Sequence, residues 1–462
     1  MCDSMGSIMK LSKPQIGFLL LFAPLGLILW QIKEKWWLSV ILVPIILVVL
    51  NYSRNMSVQW KRVYALFLSL IVFVYSGYTL TIIRTNIQKP PEWDYTSFWL
   101  NGRLAVQGQN FYDPENYHHE IDVKNLSTSD EFHTEIVDVA FWYPPQSILL
   151  FLPIGWFSLQ SGLVFWYVLQ IAVLVGVIFL LWRSFLSEDG KLGLLVTAAL
   201  TLMFYGTYQT IQLAQTGLLL LLLLLLYWHH SNSYKGGIFL ALAILVKPLA
   251  IVFLLYPLLK RQGRIIASAI GTLAVLSIIV VILFGLNTFS SYNPLSRMPA
   301  IVYTELINQS FLSTILRLTH FDFSARSPMM QPIFLIGVLS LVGISAWSIY
   351  RLSTNARSWA IGLLIPLALL VYPATLTHYS VLLLPVFLLL WVQKTRIVGG
   401  AGLLIGFITL VYATIGYNYG CVAIIGFALS WLLVETVTVL NQKKQLEQRG
   451  YFNRMVLASA IS

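Results

Sequence analysis

Apolar stretches of membrane-spanning length recur along nearly the whole chain, from Phe18 to Leu440. A helix needs about 17 to 25 mostly apolar residues to cross the hydrocarbon core of a bilayer. Only two long loops, residues 84–143 and 285–331, interrupt the repetition. Because 58% of the 462 residues are hydrophobic and 10% are charged, we predict an all-α polytopic membrane protein rather than two or three soluble domains.

The pattern predicts about 11 to 13 transmembrane helices in one membrane domain, residues 1–440, followed by a basic cytoplasmic tail, 441–462. The apolar segment 146–157 is short and framed by prolines, so it is expected to lie at the outer interface. The other uninterrupted spans are predicted at 16–30, 37–50, 63–83, 159–182, 192–205, 213–228, 265–284, 333–350, 359–371, 379–392, 397–415 and 421–440.

The distribution of charge indicates the orientation. Cytoplasmic edges of membrane proteins are enriched in Lys and Arg. In the predicted topology, about two thirds of the Lys and Arg residues fall on the same side of the membrane as the N-terminus. The loop 84–143 instead holds more than half of the acidic residues, so we expect it outside, with short interfacial helices. Both termini are then cytoplasmic if the number of spans is even, and the expected location is the plasma membrane.

The net charge of +11 is dispersed in short groups between apolar segments, a pattern typical of membrane edges and not of a nucleic-acid surface. Cys2 and Cys421 are the only cysteines and are predicted near opposite faces of the membrane. Neither a disulfide framework nor a thiolate metal site is therefore expected. We expect membrane lipid as a partner, and no nucleic acid.

The segment 236–259 is interrupted at its middle by Lys247-Pro248. Both of its flanks look cytoplasmic, which is impossible for a segment that crosses once. A charged Lys at the centre of an ordinary span would also cost about 2.5 to 3.5 kcal/mol. Two half-length helices that meet at Lys247-Pro248, as a broken or re-entrant pair, resolve both problems. The alternative is a single kinked span with one loop assigned to the wrong side.

Asp94 is the leading candidate for a catalytic group. It follows the third predicted span by about ten residues, in an aromatic-rich and acidic segment. The predicted topology places it on the same face as the amides of Asn308 and Gln309 and as His378. Glu92 and Asp94 form an E-x-D pair that could hold a divalent ion through oxygen ligands, although such a pair is usually only solvated.

Four further side chains are candidates for binding. His378 opens a predicted span at its outer end, where a lone His is more often packed than functional. Gln215 lies at the outer start of a very apolar helix, where an amide either binds a ligand or packs between helices. Lys247 is charged and intramembrane, so it is expected to meet a lipid phosphate or a buried carbonyl. Arg103 is an outer cation that could meet an anionic substrate.

The order of several short motifs gives the chain a family resemblance. The motifs are Asp94 with the aromatic residues after it, the run GQNFYDP at 108–114 with Tyr112 in it, Tyr143-Pro144-Pro145, Ala214-Gln215, Lys247-Pro248, Asn308-Gln309-Ser310, and His378 after a Pro-containing turn. Together, over residues from about 60 to 400, they resemble glycosyltransferase family 87. The chain departs from the family pattern at Phe111, where Pro is usual, at Ala214, where Gly is usual, and around His378, where a His pair is common.

The resemblance implies a type C glycosyltransferase fold and transfer of a sugar from a polyprenyl-phosphate donor to a lipid or glycan acceptor outside the membrane. Mannose is the best-known sugar of the family. Asp94 would be the general base in an inverting reaction, and no cofactor or obligatory metal is implied. Because a lipid phosphate is already a good leaving group, one carboxylate suffices, unlike the pair used in glycoside hydrolysis. The expected substrate-binding residues are His378, Lys247, Gln215, Asn308, Gln309, Arg103 and Tyr112.

Two other functions fit parts of the sequence. A polytopic transporter or lipid-linked sugar flippase would also use many spans, a broken helix and an intramembrane Lys. Transporters usually contain an internal repeat and concentrate their polar residues near the midplane, whereas here the polar residues concentrate in outer loops. A polymerase or ligase with a lipid-diphosphate donor would be expected to rely on Arg-rich outer loops, and the first outer loop is acidic.

Overall fold

A computed structural model describes residues 36–53, 55–123, 143–292, 308, 310–319, 330–352 and 357–392. The predicted spans 16–30, 397–415 and 421–440, the tail 441–462 and most of the loop 285–331 lie outside these residues. Within the described part the structure is helical, and its one β-type contact is an isolated bridge between Asn308 and Leu376. The prediction of an all-α polytopic membrane protein is confirmed.

The α-helices are numbered here in chain order. They are α1 Trp36–Ser53, α2 Val58–Gln88, α3 Ser97–Val106, α4 Pro114–Val123, α5 Ile148–Gly155, α6 Leu159–Leu181, α7 Gly190–Met203, α8 Tyr205–Gln212, α9 Gly217–His229, α10 Tyr234–Val246, α11 Leu255–Leu259, α12 Gly263–Phe284, α13 Asn287–Ser290, α14 Phe311–Thr319, α15 Met330–Arg351, α16 Arg357–Val371 and α17 Leu384–Val392. Single π turns or 3₁₀ helices occupy Glu92–Thr96, Pro145–Ser147, Trp182–Leu186, Ser187–Asp189, Pro248–Leu254 and Thr377–Leu383.

Four helical stretches in the described part are long and apolar enough to cross a membrane: Val58–Gln88, Leu159–Met203, Gly263–Phe284 and Pro332–Arg351. The second stretch corresponds to two predicted spans, because π and 3₁₀ turns join α6 to α7 without leaving the helical region. Further apolar helices of 10–17 residues pack among them. Their short length follows from the interruptions described next.

Two helix boundaries differ from the predictions, each for a local reason, and one short helix was not predicted. Helix α2 continues to Gln88, beyond the predicted loop start at Arg84, and ends before Pro90-Pro91, whose rings prevent a further turn. The predicted span 213–228 begins only at Gly217, because the backbone before it makes a tight turn. The short polar helix α8 was not predicted at all, since its residues lack an apolar stripe.

The predicted break at Lys247-Pro248 is confirmed. Helix α10 ends at Val246, Lys247 is extended, and a 3₁₀ helix runs from Pro248 to Leu254 before α11. Pro248 has no N–H to continue the α-helical ladder and disfavours a helical conformation at the residue before it. The chain therefore changes helix type at the one charged residue of the segment.

An aromatic core lies under the predicted first outer loop. The rings of Phe98 and Phe151 stack with centroids 4.6 Å apart, and Trp166 and Tyr143 pack around them. Helices α3 and α5 cross so closely that a Cβ on Gly102 would lie 2.2 Å from the carbonyl oxygen of Phe151. Aromatic side chains bury large apolar areas, so this core holds α3 and α5 firmly against α6.

Candidate functional site

Asp94 is carried by the π turn Glu92–Thr96. The Thr96 hydroxyl donates to the carbonyl of Pro91 (3.1 Å), which closes the turn. The neighbouring Tyr95 is fully buried, and its hydroxyl donates to the carbonyl of Leu159 (3.2 Å). Asp94 itself is partly exposed. The turn is thus fixed by its neighbours while the carboxylate remains accessible to a substrate.

Gln215 is the direct partner of Asp94: its Nε2 donates a hydrogen bond to Asp94 Oδ1. The other end of the amide, Oε1, accepts from the backbone N–H of Thr216 (3.3 Å). These two contacts fix which end of the amide faces the carboxylate, because only Nε2 can donate. Two predicted site residues that are 121 positions apart in the sequence are thereby brought together.

The turn before α9 positions Gln215. Ala214 has φ of +52°, a left-handed conformation that favours glycine. Its carbonyl accepts from Trp166 Nε1 (2.7 Å), and the carbonyl of Gln215 accepts from Gln170 Nε2 (3.0 Å). Both donors lie on α6, so that helix holds the turn in place. A Gly at this position would adopt the left-handed backbone without the strain that the Ala214 side chain causes.

The surroundings change the acidity of Asp94. Burial raises the pKa of its carboxyl to about 6, and the hydrogen bond from Gln215 and the positive charge of Lys247 partly offset that rise. A carboxyl with this pKa is largely ionised at neutral pH, yet is a stronger base than an ordinary Asp. These are the properties of a general base that works near pH 7.

Lys247 joins the same site from the broken helix. Its side chain is buried, and Nζ donates to the Tyr143 hydroxyl (2.8 Å). Nζ also lies 4.2 Å from the ring centroid of Tyr143 and 5.0 Å from that of Tyr379. Lys247 and Asp94 are close enough for their charges to interact. The ammonium is thus stabilised by two aromatic faces and one hydroxyl, and an anion could approach it.

Tyr112 supports the backbone of Tyr143. Its hydroxyl donates to the carbonyl of Tyr143 (2.8 Å), and the ring is buried. The motif around it makes a turn: Asn110 Oδ1 accepts from the N–H of Tyr112 (3.0 Å), and Asp113 Oδ1 accepts from the N–H of Glu115 (3.1 Å) at the start of α4. The run 108–114 therefore shapes the loop, and Tyr112 acts on the site through Tyr143.

His378 lies in the 3₁₀ helix Thr377–Leu383, which packs against α8. The side chain is buried, and its ring centroid lies 4.1 Å from that of Tyr379. Within the described residues, His378 Nε2 is buried without a hydrogen-bond partner. Such a group costs free energy unless a ligand or water meets it. The carbonyl of His378 accepts from the Thr210 hydroxyl (3.2 Å), which ties it to α8.

Asn308 holds the turn that precedes His378. Its Nδ2 donates to the carbonyl of Pro373 (2.8 Å), and its Oδ1 accepts from the N–H of Ser310 (2.9 Å). The residue is fully buried and pairs with Leu376. These contacts favour a positioning role over direct binding of a substrate. Gln309 lies outside the described residues.

Arg103 is engaged within the predicted first outer loop. Its Nε pairs with Glu120 Oε1 (3.3 Å), and one guanidinium nitrogen donates to the carbonyl of Gly155 (3.4 Å). Gln107 Nε2 donates to the second oxygen of Glu120 (3.0 Å). Arg103 thus holds α3 against α4 and the end of α5, so its predicted contact with substrate stays a prediction.

The interpretation that Glu92 and Asp94 hold a divalent ion also stays a prediction. The side chain of Glu92 lies outside the described set. Among the side chains that are described, no three of His, Cys, Asp or Glu come together as a ligand group.

Sequence reasoning missed the two tyrosines that enclose Lys247. Tyr143 had a signal, since it begins the motif Tyr143-Pro144-Pro145, but its sequence position assigns it no partner. Tyr379 had none, because an aromatic residue at the start of an apolar helix is ordinary at a membrane interface. Both come next to Lys247 through contacts between residues more than 100 positions apart.

Comparison with known proteins gives separate evidence for the family resemblance of the sequence. A family model described as glycosyltransferase family 87 matches residues 141–373. No curated protein and no solved structure matches the chain. The matched region contains Gln215 and Lys247, and Asp94 and His378 flank it on either side. The apolar helices and the match together show that this chain is a multi-pass membrane glycosyltransferase and belongs to glycosyltransferase family 87.

Proposed function

We propose that the protein transfers a sugar, most simply mannose, from a polyprenyl-phosphate donor to a hydroxyl of a lipid or glycan acceptor on the outer face of the plasma membrane. The observation that carries the proposal is a basic carboxylate, Asp94, held by Gln215 within the electrostatic reach of a buried ammonium, Lys247. A base for the acceptor and a cation for the leaving phosphate are the two groups that this transfer requires.

Asp94 acts as the general base. It takes the proton of the acceptor hydroxyl as the acceptor oxygen forms a bond to the anomeric carbon of the sugar. The bond between that carbon and the phosphate oxygen breaks on the opposite side, and the polyprenyl phosphate leaves with the electron pair. Attack opposite the leaving group inverts the anomeric configuration, so a beta-linked donor gives an alpha-linked product.

Lys247 and His378 serve the leaving group. Negative charge increases on the phosphate as the sugar departs, and a fixed ammonium in a water-poor site stabilises that charge more than bulk water does. Tyr143 and Tyr379 hold the ammonium in place without neutralising it. The unpartnered Nε2 of His378 supplies a polar contact that the bound donor would complete. A lipid phosphate leaves without protonation, so the reaction needs no second carboxylic acid.

The test is sugar transfer from polyprenyl-phosphate mannose in membranes that contain the wild type, Asp94→Asn or Asp122→Asn, with EDTA in parallel samples. Asp122 is an exposed carboxylate of the same outer loop, so its variant controls for the change in charge. We expect transfer to fall by about 10² to 10⁴ in Asp94→Asn, to persist in Asp122→Asn and to survive EDTA. Equal transfer in the wild type and Asp94→Asn would remove Asp94 from the mechanism.

Absence of transfer in every sample, with the proteins correctly inserted, would mean that the proposed donor or acceptor is wrong. Loss of wild-type transfer in EDTA would restore the metal interpretation at Glu92 and Asp94.

A further inference from the structure

The beginning of α9 is a buried helix end whose first N–H groups have no acceptor. In any helix these groups lack an acceptor one turn earlier and need a cap, water or a ligand. Within the described residues, the N–H groups of Gly217, Leu218 and Leu219 donate to no acceptor, and Thr216 before them forms no side-chain cap. Gly217 and Leu218 are buried. Unmet donors at a buried position indicate a bound partner, either water or a ligand.

Thr216 adds an unpartnered hydroxyl at this helix end. The residue is 1% exposed, and within the described part of the chain its Oγ1 makes no hydrogen bond. Oγ1 lies beside the Tyr143 hydroxyl but not in hydrogen-bond geometry with it. Lys247 Nζ donates to the same hydroxyl (2.8 Å). The hydroxyl of Thr216 and the ammonium of Lys247 therefore both adjoin Tyr143, next to the first turn of α9.

His378 is carried by a segment that borders the same turn. The 3₁₀ helix Thr377–Leu383 packs against α9. The Thr210 hydroxyl donates to the carbonyl of His378 (3.2 Å), and a Cβ on Gly217 would lie 3.0 Å from Thr210 Oγ1. His378 is 2% exposed, and its Nε2 has no partner among the described residues. A second buried and unpartnered polar group thus belongs to the surroundings of this helix end.

These groups together favour an anion. The N–H groups at a helix N-terminus carry partial positive charge and are a common site for phosphate. A hydroxyl that can donate and a full positive charge on Lys247 strengthen that preference. Asp94 is not the anion that they hold, because it accepts from Gln215 Nε2 and no N–H group of this turn donates to it.

We propose that the beginning of α9 holds the phosphate of the lipid donor, with hydrogen bonds from the Thr216 hydroxyl and from the backbone N–H groups of Gly217 and Leu218. The inference rests on the proposed function and adds residues to its phosphate site. When the bond between the anomeric carbon and the phosphate oxygen breaks, the electron pair stays on that oxygen. The phosphate then changes from one negative charge to about two, so α9 stabilises the leaving group more than the bound donor.

The experiment measures binding to the full-length protein in detergent by native mass spectrometry. Polyprenyl phosphate, polyprenol and inorganic phosphate are the probes. The wild type is expected to bind polyprenyl phosphate at least about tenfold more tightly than polyprenol. Inorganic phosphate at millimolar concentration should compete with polyprenyl phosphate and not with polyprenol. Equal affinity for inorganic phosphate and for polyprenyl phosphate would identify a site for free phosphate and overturn the assignment to the donor.

Variants of Thr216 test the hydroxyl. Thr216→Val keeps the shape of the side chain and should weaken binding of polyprenyl phosphate about 10- to 100-fold, with polyprenol binding unchanged. Thr216→Ser keeps the hydroxyl and should stay within about threefold of the wild type. Thr201→Val is the matched control, because Thr201 is also fully buried with an unpartnered Oγ1 but lies in α7. It should leave the binding of both lipids unchanged.

Thr216→Asp separates a phosphate contact from a structural role. A carboxylate before the first turn of a helix stabilises the helix, so the thermal unfolding temperature in detergent should be unchanged or higher. The same carboxylate occupies the N–H groups and attracts Lys247. The preference for polyprenyl phosphate over polyprenol should therefore disappear in a protein that is still folded.

The possible results have different consequences. Unchanged binding of polyprenyl phosphate in Thr216→Val, an equal loss in Thr201→Val, or an equal loss of polyprenol binding would overturn the role of α9. The proposed function would survive these results if Lys247→Met still abolished the preference for the phosphate. A wild type that binds polyprenyl phosphate no more tightly than polyprenol would overturn both the inference and the lipid-phosphate donor on which it rests.

Discussion

The contact between Gln215 and Asp94 predicts the pH dependence of the enzyme. In the proposed mechanism Asp94 must be ionised to accept a proton, and burial raises its pKa to about 6. The value of kcat/KM for sugar transfer should therefore fall about tenfold per pH unit below pH 6. Replacing Gln215 with Leu removes the amide that donates to Asp94 Oδ1. That hydrogen bond favours the ionised carboxylate, so its loss raises the pKa of Asp94 and moves the midpoint of the curve upward.

The size of the movement follows from the strength of the bond. A hydrogen bond to a charged group contributes about 1.5 to 3 kcal/mol, and one pH unit corresponds to 1.36 kcal/mol. The midpoint should therefore rise by about one to two pH units, and the partial exposure of Asp94 favours the lower end. At pH 7 the ionised fraction would fall from about nine tenths to between a half and a tenth.

The assay is the initial rate of sugar transfer at low substrate concentration, measured from about pH 4.5 to 9, because kcat/KM reports ionisations of the free enzyme. Gln170→Leu is the matched control, since Gln170 donates to the main-chain carbonyl of Gln215 and is not among the groups that perturb Asp94. The control should leave the midpoint near pH 6, even if it lowers the maximal rate. A midpoint near pH 6 in Gln215→Leu would refute the reasoning, as would an upward movement of the same size in the control.

Three further predictions test other parts of the structure. Lys247→Met should lower sugar transfer by about 10² to 10³ and raise the pH midpoint, because the ammonium favours ionised Asp94. Lys247→Arg keeps the positive charge and should keep the midpoint near pH 6. The pH dependence of kcat/KM for both variants measures the midpoint. Ala214→Gly should raise the thermal unfolding temperature in detergent and retain activity, because it relieves about 1 kcal/mol of left-handed strain. Gly206→Ala should lower the free energy of unfolding by about 1 to 3 kcal/mol and reduce sugar transfer, since the new Cβ would lie 2.4 Å from the backbone nitrogen of Val381. Gly271→Ala is the control, because a Cβ there has no heavy atom within 4 Å, and it should change neither stability nor transfer.

Local chemistry made part of this structure predictable. The break at Lys247-Pro248 follows from a missing N–H and a charge in an apolar segment, and both effects act within a few residues. The end of α2 before Pro90-Pro91 has a similar local cause, although the helix runs further than the apolar pattern indicates. Asp94 was identifiable as a candidate because it lies about ten residues after the third predicted span in an acidic, aromatic-rich segment, and because the family resemblance implies its role.

The contacts that make the site could not be predicted in this way. Gln215 meets Asp94 across 121 positions, and Lys247 meets Tyr143 across 104. Hydrophobic periodicity assigns a face to a helix but does not say which helices become neighbours. The roles of Asn308 and Tyr112 were hidden for the same reason, since a buried amide or hydroxyl that holds a backbone carbonyl looks the same in sequence as one that holds a substrate.

Four functional candidates nevertheless share an interrupted backbone, which prolines make visible in the sequence for all of them except Gln215. Asp94 follows a helix stopped by two prolines, Gln215 follows a left-handed turn, Lys247 precedes Pro248, and His378 follows a turn that contains a proline. At membrane depth an interrupted backbone leaves N–H and C=O groups that lipid cannot satisfy, so interruptions persist only where protein or a polar cavity meets them. Helix interruptions in such a chain therefore mark the walls of its polar site. Arg103 lies within an unbroken helix, α3, and its charge is used to hold that helix against its neighbours.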